Sequence, residues 1–259
     1  MIKKYKKVFI TILSILFISV ITYFGLCIYA LSTTPKSVFE VEKSKNDVFT
    51  LPITRDFRKD KDGNNIELIS LQNTQSQDVI LYFGGTSGRA PKDLETASTV
   101  ANVVSPAPPG YAQSTGTPTS SNIYNTVDVG IAFLHEKGYT DDKIIIMGHS
   151  MGGSLAVYGA SHYPGIKKVI LVNTFYSIQK MCEKDFSVLC ILLRDFMNTS
   201  KLAPDVKVKV RQFSNPNDEK IPYEQQKQLF EKIGSTDKKF INIEGTHGTF
   251  DAIKVLSTD

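Results

Sequence analysis

The segment from Lys143 to Gly153, KIIIMGHSMGG, restricts the possible folds of this chain more than any other part of it. Ile144 to Met147 is a short, β-branched apolar run typical of a strand buried on both faces. A helical pattern begins at Ser154 and continues to Ala160. Gly148-His149-Ser150-Met151-Gly152 lies between them and fits G-x-S-x-G, the nucleophile elbow. It is either a glycine-rich turn without a chemical role or a strand-to-helix turn that presents Ser150 as a nucleophile. The flanking strand and helix favour the nucleophile.

Length and charge exclude several classes of protein. The 259 residues suffice for one sizeable domain, or two small ones, with a proper core. The net charge of +4 is modest, and much of it comes from Lys3, Lys4, Lys6 and Lys7. The sequence therefore lacks the basic face that would predict nucleic-acid binding. We predict no cofactor and no metal, and the sequence favours no oligomeric state.

The cysteines are too few for a disulfide framework or a cysteine-rich zinc site. They are Cys27, Cys182 and Cys190. On one continuous helix Cys182 and Cys190 would lie about 12 Å apart along the axis, which is too far for a disulfide. We therefore expect them to be buried apolar residues.

An uncharged, apolar stretch from Val8 to Leu31 would form a helix of about 36 Å, enough to span a bilayer. A cleaved secretory signal is the alternative, but its apolar core would be shorter. Four lysines precede the stretch and only Lys36 follows it closely, which places the N-terminus in the cytoplasm. We therefore expect a single-pass membrane protein. Residues 1–31 would be the lysines and the anchor, residues 32–47 a juxtamembrane linker, and residues 48–259 an extracytoplasmic catalytic domain.

Strand and helix patterns alternate through the folded domain. Val48 to Lys59 and Ile66 to Leu71 flank a turn, Asp60 to Asn64, which predicts an antiparallel hairpin. Further strand patterns cover residues 78–83, 101–105, 168–172, 206–213 and 240–243, and helical patterns cover residues 92–99, 121–137 and 223–233, with a last helix opening at His247. This order predicts an α/β fold: a mostly parallel sheet of roughly eight strands with helices on both faces.

A serine nucleophile needs a base within hydrogen-bond reach. His247 follows the last strand pattern in Glu-Gly-Thr-His-Gly, where a loop histidine reaches back over the strand ends. We therefore predict His247 as the base. His135 and His162 lie at the far ends of their elements and are expected at the surface, and His149 is expected to pack beside the turn.

The acid should lie between the serine and the histidine in chain order. Asp218 follows a strand pattern in Asn-Pro-Asn-Asp-Glu-Lys-Ile-Pro, at the end where α/β sheets place functional groups. Glu219 is the closest competitor, and Asp205 lies at the wrong end of its strand. The preference for Asp218 rests partly on the resemblance described below.

An acyl-transfer site also needs donors that face the developing oxyanion. One is the main-chain N–H of Met151, directly after the serine. The second is expected from the glycine-rich loop Gly84 to Gly88, at Thr86 or alternatively Gly85. A phosphate-binding loop is a weak alternative, because the lysine and the spacing of that motif are absent.

Five segments carry a family resemblance: DVILYFGGT, GYAQSTGTPT, IIIMGHSMGG, NPNDEKIP and EGTHG. Through them the chain from about Val48 onward resembles α/β hydrolases. More narrowly, it is similar to membrane-anchored α/β-hydrolase-domain proteins of the serine-aminopeptidase-like group. Two segments depart from the family pattern. Gly84-Gly85-Thr86 stands where relatives usually have His-Gly-Asn, and Ala107 to Ala112 stands where they have Asp-Tyr-Arg-Gly-Tyr-Gly.

The resemblance implies an α/β-hydrolase fold and a Ser150, His247 and Asp218 triad. It also implies hydrolysis of carboxylic esters or thioesters of small-molecule or lipid acyl substrates through an acyl-enzyme. A serine peptidase with the same triad and a catalytically impaired binding module are the alternatives.

The interval between Ser150 and Asp218 leaves room only for a small cap over residues 174–201. Its apolar side chains either line an acyl pocket or, by default, pack on the sheet. They are Phe175, Tyr176, Ile178, Met181, Phe186, Val188, Leu189, Ile191, Leu192, Leu193, Phe196 and Met197.

Overall fold

The structure is a computed structural model that describes residues 2–183, 190, 193 and 196–258. Its centre is an eight-stranded sheet with the strand order β1-β2-β4-β3-β5-β6-β7-β8. The strands are β1 (Thr54–Lys59), β2 (Asn65–Leu71), β3 (Val79–Phe83), β4 (Asn102–Pro106), β5 (Ile144–His149), β6 (Lys168–Val172), β7 (Val210–Ser214) and β8 (Lys238–Asn242). The pairs β1 with β2 and β2 with β4 are antiparallel, and the other pairs are parallel. The predicted hairpin and mostly parallel sheet are confirmed.

Helices cover both faces of this sheet. They are α1 (Ile2–Val38), α2 (Pro91–Ser98), α3 (Asn125–Glu136), α4 (Met151–His162), α5 (Ile178–Cys182), α6 (Thr199–Leu202), α7 (Tyr223–Lys232) and α8 (Ala252–Ser257). Side chains alternate along a strand, so Ile144 and Ile146 of β5 join the core formed with α3, α4 and α7. Ile145 and Met147 join the opposite core, formed with α2 and α8. Burial on both faces explains the continuous apolar run before Gly148.

Some element boundaries differ from the sequence pattern. The last helix begins at Ala252, where the Asp251 side chain accepts a hydrogen bond from the N–H of Lys254, so the expectation of a helix opening at His247 is wrong. His247 instead lies in a turn closed by a short bridge between Thr246 and Thr249. This turn leaves the imidazole free to face the ends of the strands.

The expectation that Cys182 and Cys190 are unpaired is also wrong. They form a disulfide with a Cα–Cα distance of 5.6 Å. A separation of about 12 Å holds only for one continuous helix, whereas α5 ends at Cys182. Cys27 is free and buried.

The predicted anchor lies within α1, and several of its apolar side chains are exposed, including Phe9, Phe17, Ile18 and Phe24. Among the described residues, no helix, α1 included, combines the length and the hydropathy that crossing a bilayer needs.

The segment after α1 is packed rather than extended. A 3-10 helix covers Val41–Asn46, and Phe39 and Ser44 are buried. The ring of Phe39 packs on that of Phe196, with 5.8 Å between the ring centroids. Contacts with the domain therefore begin before Val48, within the range expected to be a linker.

The described apolar residues of the predicted small cap pack on the sheet. Phe175 and Met197 are buried, and Tyr176, Ile178 and Phe196 are partly buried against the same core. Met181 packs there as well, and Leu193 is buried. The expected residues Phe186, Val188, Leu189, Ile191 and Leu192 lie outside the described part of the chain.

Candidate active site

The turn between β5 and α4 holds Ser150 in an unusual backbone conformation, with φ 55° and ψ −117°. Such a conformation costs a non-glycine residue about 1–3 kcal/mol, so the surrounding structure must impose it. A Cβ atom on Gly148 would lie 2.2 Å from the carbonyl oxygen of Gly152, and one on Gly152 would lie 2.0 Å from that of Phe83. The two motif glycines are therefore required by close backbone approach.

Three residues that are distant in the chain meet at this turn. His247 Nε2 lies 2.9 Å from Ser150 Oγ. On the other side of the ring, Nδ1 lies 2.9 Å from Asp218 Oδ2 and 3.0 Å from Oδ1. All three side chains are almost fully buried. The structure thus joins the predicted nucleophile, base and acid in one hydrogen-bonded chain.

Asp218 is held as an acceptor by several donors. Its Oδ1 accepts hydrogen bonds of 2.9 Å from the N–H groups of Lys220 and Ile221, and its Oδ2 accepts one of 3.2 Å from Gln226 Nε2. Burial by itself would raise the pKa of Asp218, but the bonds from His247 and the two amides outweigh it and hold the pKa below its usual value. The group that faces His247 Nδ1 is therefore a carboxylate.

The main chain of His247 is fixed by three side chains. Its carbonyl oxygen accepts from His149 Nε2 at 2.7 Å and from Asn173 Nδ2 at 3.1 Å. Its N–H donates to Glu219 Oε2 at 3.0 Å. His149 thus packs beside the turn, as predicted, and Glu219 contacts the main chain of His247 rather than its ring.

Asn173 was not among the predicted site residues. It directly follows β6, has φ 46° and accepts a hydrogen bond from the N–H of Asn215. An asparagine at the carboxyl end of a parallel strand was the available signal, because functional groups collect at that edge.

His149 should make the protein more sensitive to acid. Its ring lies against those of His247 and Phe250, and burial, with the charge of His247 adding to it, lowers the pKa to about 4 from 6.5. Between these values the unfolded chain binds the proton more readily, so the free energy of unfolding falls as the pH falls. His149→Gln should lose less stability than wild type between about pH 7 and pH 5, as measured by urea denaturation. An equal loss in both proteins would contradict this.

The loop Gly84 to Gly88 lies beside Ser150. A Cβ atom on Gly85 would be 3.5 Å from Ser150 Cβ and 3.8 Å from Ser150 Oγ. Within the described part of the chain, the N–H groups of Thr86 and Met151 donate to no protein acceptor. These are the two predicted oxyanion donors, and both remain available to a ligand.

The remaining histidines lie at the surface. His135 Nε2 is 2.8 Å from Asp141 Oδ1, and the ring of His162 stacks on that of Tyr158. Across residues 2–183 and 196–258, no group of three or more histidine, cysteine, aspartate or glutamate side chains is arranged to hold a metal ion.

Comparisons with known proteins agree with this architecture. Residues 87–204 match the family model described as the alpha/beta hydrolase fold. An esterase of Pyrococcus furiosus, Pf2001, superimposes with a TM-score of 0.64 at 14% identity, covering 77% of this chain and 85% of the esterase. The α/β-hydrolase fold is therefore confirmed.

Two relatives extend the similarity to sequence. Protein bem46 of Schizosaccharomyces pombe is 27% identical over 67% of this chain and 62% of its own length. Phosphatidylserine lipase ABHD16A of Bos taurus is 41% identical over 26% of this chain, but the match spans only 12% of that lipase. The resemblance to α/β-hydrolase-domain proteins is confirmed.

Proposed function

We propose that the protein is a serine hydrolase that cleaves carboxylic ester or thioester bonds of acyl substrates through an acyl-enzyme. The observation that carries this proposal is the hydrogen-bonded chain from Ser150 through His247 to Asp218. In the first step His247 Nε2 takes the Ser150 proton as Oγ bonds to the substrate carbonyl carbon. The N–H groups of Thr86 and Met151 stabilise the oxyanion, which would contribute about 3 kcal/mol per donor.

The same histidine completes the cycle. His247 donates its proton to the leaving alcohol or thiol as the bond from the carbonyl carbon to that group breaks, leaving acyl-Ser150. Water then attacks the acyl carbon while His247 takes its proton. His247 returns that proton to Ser150 Oγ as the bond from Oγ to the acyl carbon breaks, which releases the carboxylic acid and free Ser150. Asp218 keeps Nδ1 protonated and stabilises the imidazolium in both steps.

Acyl and lipid-type esters are the substrate class that the similarities favour. The structural neighbour from Pyrococcus furiosus is an esterase, and ABHD16A is a phosphatidylserine lipase. The complete hydrogen-bonded chain also argues against an impaired binding module, since a dead enzyme need not keep all three groups aligned.

A fluorophosphonate probe, which reacts with activated serines, tests this proposal. We expect wild-type protein to be labelled and Ser150→Ala to be unlabelled, because the nucleophile is lost. Ser87→Ala is the matched control, since Ser87 is an exposed serine in the neighbouring glycine-rich loop. Equal labelling of wild type and Ser150→Ala would remove the serine-hydrolase assignment.

We also propose that α1 tethers the domain to a membrane with the N-terminal lysines in the cytoplasm. The uncharged stretch from Val8 to Leu31 and the exposed apolar side chains of α1 support this. Protease added to intact spheroplasts should digest the domain and leave the N-terminal lysines protected. Protection of the whole chain would reverse the proposed orientation, and a mature N-terminus near Leu31 would show that the segment is cleaved.

A further inference from the structure

We propose that the segment from Phe39 to Asp47 is a positioning element for the oxyanion site, acting mainly through the main-chain N–H of Glu40. This inference rests on the proposed function, because it assigns the segment to the same catalytic site. Glu40 N–H donates a 3.0 Å hydrogen bond to the carbonyl oxygen of Thr86. Thr86 is the residue whose own N–H is the proposed second oxyanion donor.

The carbonyl of Thr86 is held by two donors. Besides Glu40 N–H, the hydroxyl of Tyr111 donates to it at 2.8 Å. Burial raises the pKa of Tyr111, so this hydroxyl keeps its proton and remains a donor. The preceding peptide plane, which carries the Thr86 N–H, is fixed by a 3.0 Å bond from Gly88 N–H to the carbonyl of Gly85.

These bonds matter because the loop itself is weakly constrained. Gly84, Gly85 and Gly88 have no side chains to restrict their dihedral angles. An oxyanion donor is effective only when it already points to the position that the charge will occupy. The carbonyl of Gly85 precedes the Thr86 N–H and the carbonyl of Thr86 follows it, and fixing both sets the direction of that N–H. The carbonyl of Thr86 depends on Glu40, which lies outside the loop and outside the sheet.

Two side chains of the segment, those of Ser44 and Asp47, bind it to the rest of the domain. Ser44 Oγ accepts a 2.9 Å hydrogen bond from Ala112 N–H, next to Tyr111. Asp47 Oδ2 lies 3.4 Å from Nε of Arg89, the residue that directly follows the loop. A Cβ atom on Gly88 would lie 2.6 Å from Ser44 Cβ, so the loop and the segment are in close contact. A cavity of about 10 Å³, room for roughly one water molecule, is lined by both of them together with residues such as Tyr111, Met151 and Leu155.

Glu40→Pro isolates the proposed interaction. Proline lacks the N–H, and its φ of about −65° is close to the −83° of Glu40. Glu40→Ala is the matched control, because it removes the same side chain and keeps the N–H. With a p-nitrophenyl ester, we expect Glu40→Pro to lower kcat about 10-fold relative to Glu40→Ala with KM nearly unchanged, since a positioning residue should cost less than the about 100-fold of a lost donor.

Tyr111→Phe provides a second variant for the case in which Glu40→Pro does not fold. It removes only the hydroxyl that donates to Thr86 and should lower kcat with KM unchanged, with wild-type circular dichroism. Folded Glu40→Pro with the kcat of Glu40→Ala, or folded Tyr111→Phe with wild-type kcat, would overturn this inference. A wild-type protein that neither hydrolyses the ester nor reacts with the fluorophosphonate probe would instead refute the proposed function.

Discussion

Asp218→Asn is expected to lower kcat by up to about 10⁴-fold while the protein remains folded. The reason lies in the donors that already surround the carboxylate. The N–H groups of Lys220 and Ile221 both point to Oδ1, so the amide oxygen of an asparagine would occupy that position. Its NH₂ group would then occupy the position of Oδ2, 2.9 Å from His247 Nδ1.

This orientation would reverse the tautomer of His247. Nδ1 would have to accept a hydrogen bond and could no longer carry the proton, so the proton would move to Nε2. A protonated Nε2 cannot take the proton of Ser150, and nucleophile activation is lost. The NH₂ group would also face Gln226 Nε2, another donor, which adds a smaller cost.

The matched control for this experiment is the adjacent residue. Glu219→Gln keeps an oxygen that can accept from His247 N–H, so its kcat should stay near wild type. Hydrolysis of a short-chain p-nitrophenyl ester measures both variants, with circular dichroism as the folding control. A large loss in Glu219→Gln with near-normal Asp218→Asn would show that Glu219 is the acid.

Gly152→Ala is expected to destabilise the fold by about 3 kcal/mol or more. The new methyl group would lie 2.0 Å from the carbonyl oxygen of Phe83 and 2.5 Å from that of Gly84. Both oxygens belong to the main chain at the end of β3, which is paired with β4 and β5 and cannot move away alone. The clash must instead separate α4 from the sheet, which also displaces Ser150 from His247.

Gly248→Ala serves as the control for this substitution. A Cβ atom on Gly248 would contact nothing within 4 Å, although the residue is a neighbour of His247. Its free energy of unfolding should therefore remain close to that of wild type. Urea denaturation compares the two variants directly. A Gly152→Ala protein as stable as Gly248→Ala would show that the turn accommodates a side chain.

The turn at Ser150 could be predicted because its constraints are local. A buried strand followed by closely spaced glycines leaves few backbone conformations, and the place of His247 directly after the last strand pattern then favours it as the base. The choice between Asp218 and Glu219 was harder, because neighbouring loop residues point in different directions. The structure separates them: Asp218 contacts the ring of His247 and Glu219 contacts its main chain.

Contacts through main-chain atoms could not be predicted in this way. The bond from Glu40 N–H to the carbonyl of Thr86 involves no side chain, so any residue except proline could make it. The disulfide between Cys182 and Cys190 was missed for a related reason. Spacing alone does not show where a helix ends, and the end of α5 at Cys182 brings the two cysteines together.

The position of Glu40 also limits the distance between the proposed membrane anchor and the candidate active site. Glu40 lies nine residues beyond Leu31, the end of the proposed anchor: the seven in α1 rise about 10 Å, and the other two span at most about 7 Å. For a helix held in a bilayer as proposed, Ser150 would work close to the lipid surface, and ester molecules would reach it by lateral diffusion in two dimensions. The rate of hydrolysis would then rise with the mole fraction of ester in vesicles at a fixed bulk ester concentration. A rate that depended on the bulk concentration alone would show that the substrate arrives from water.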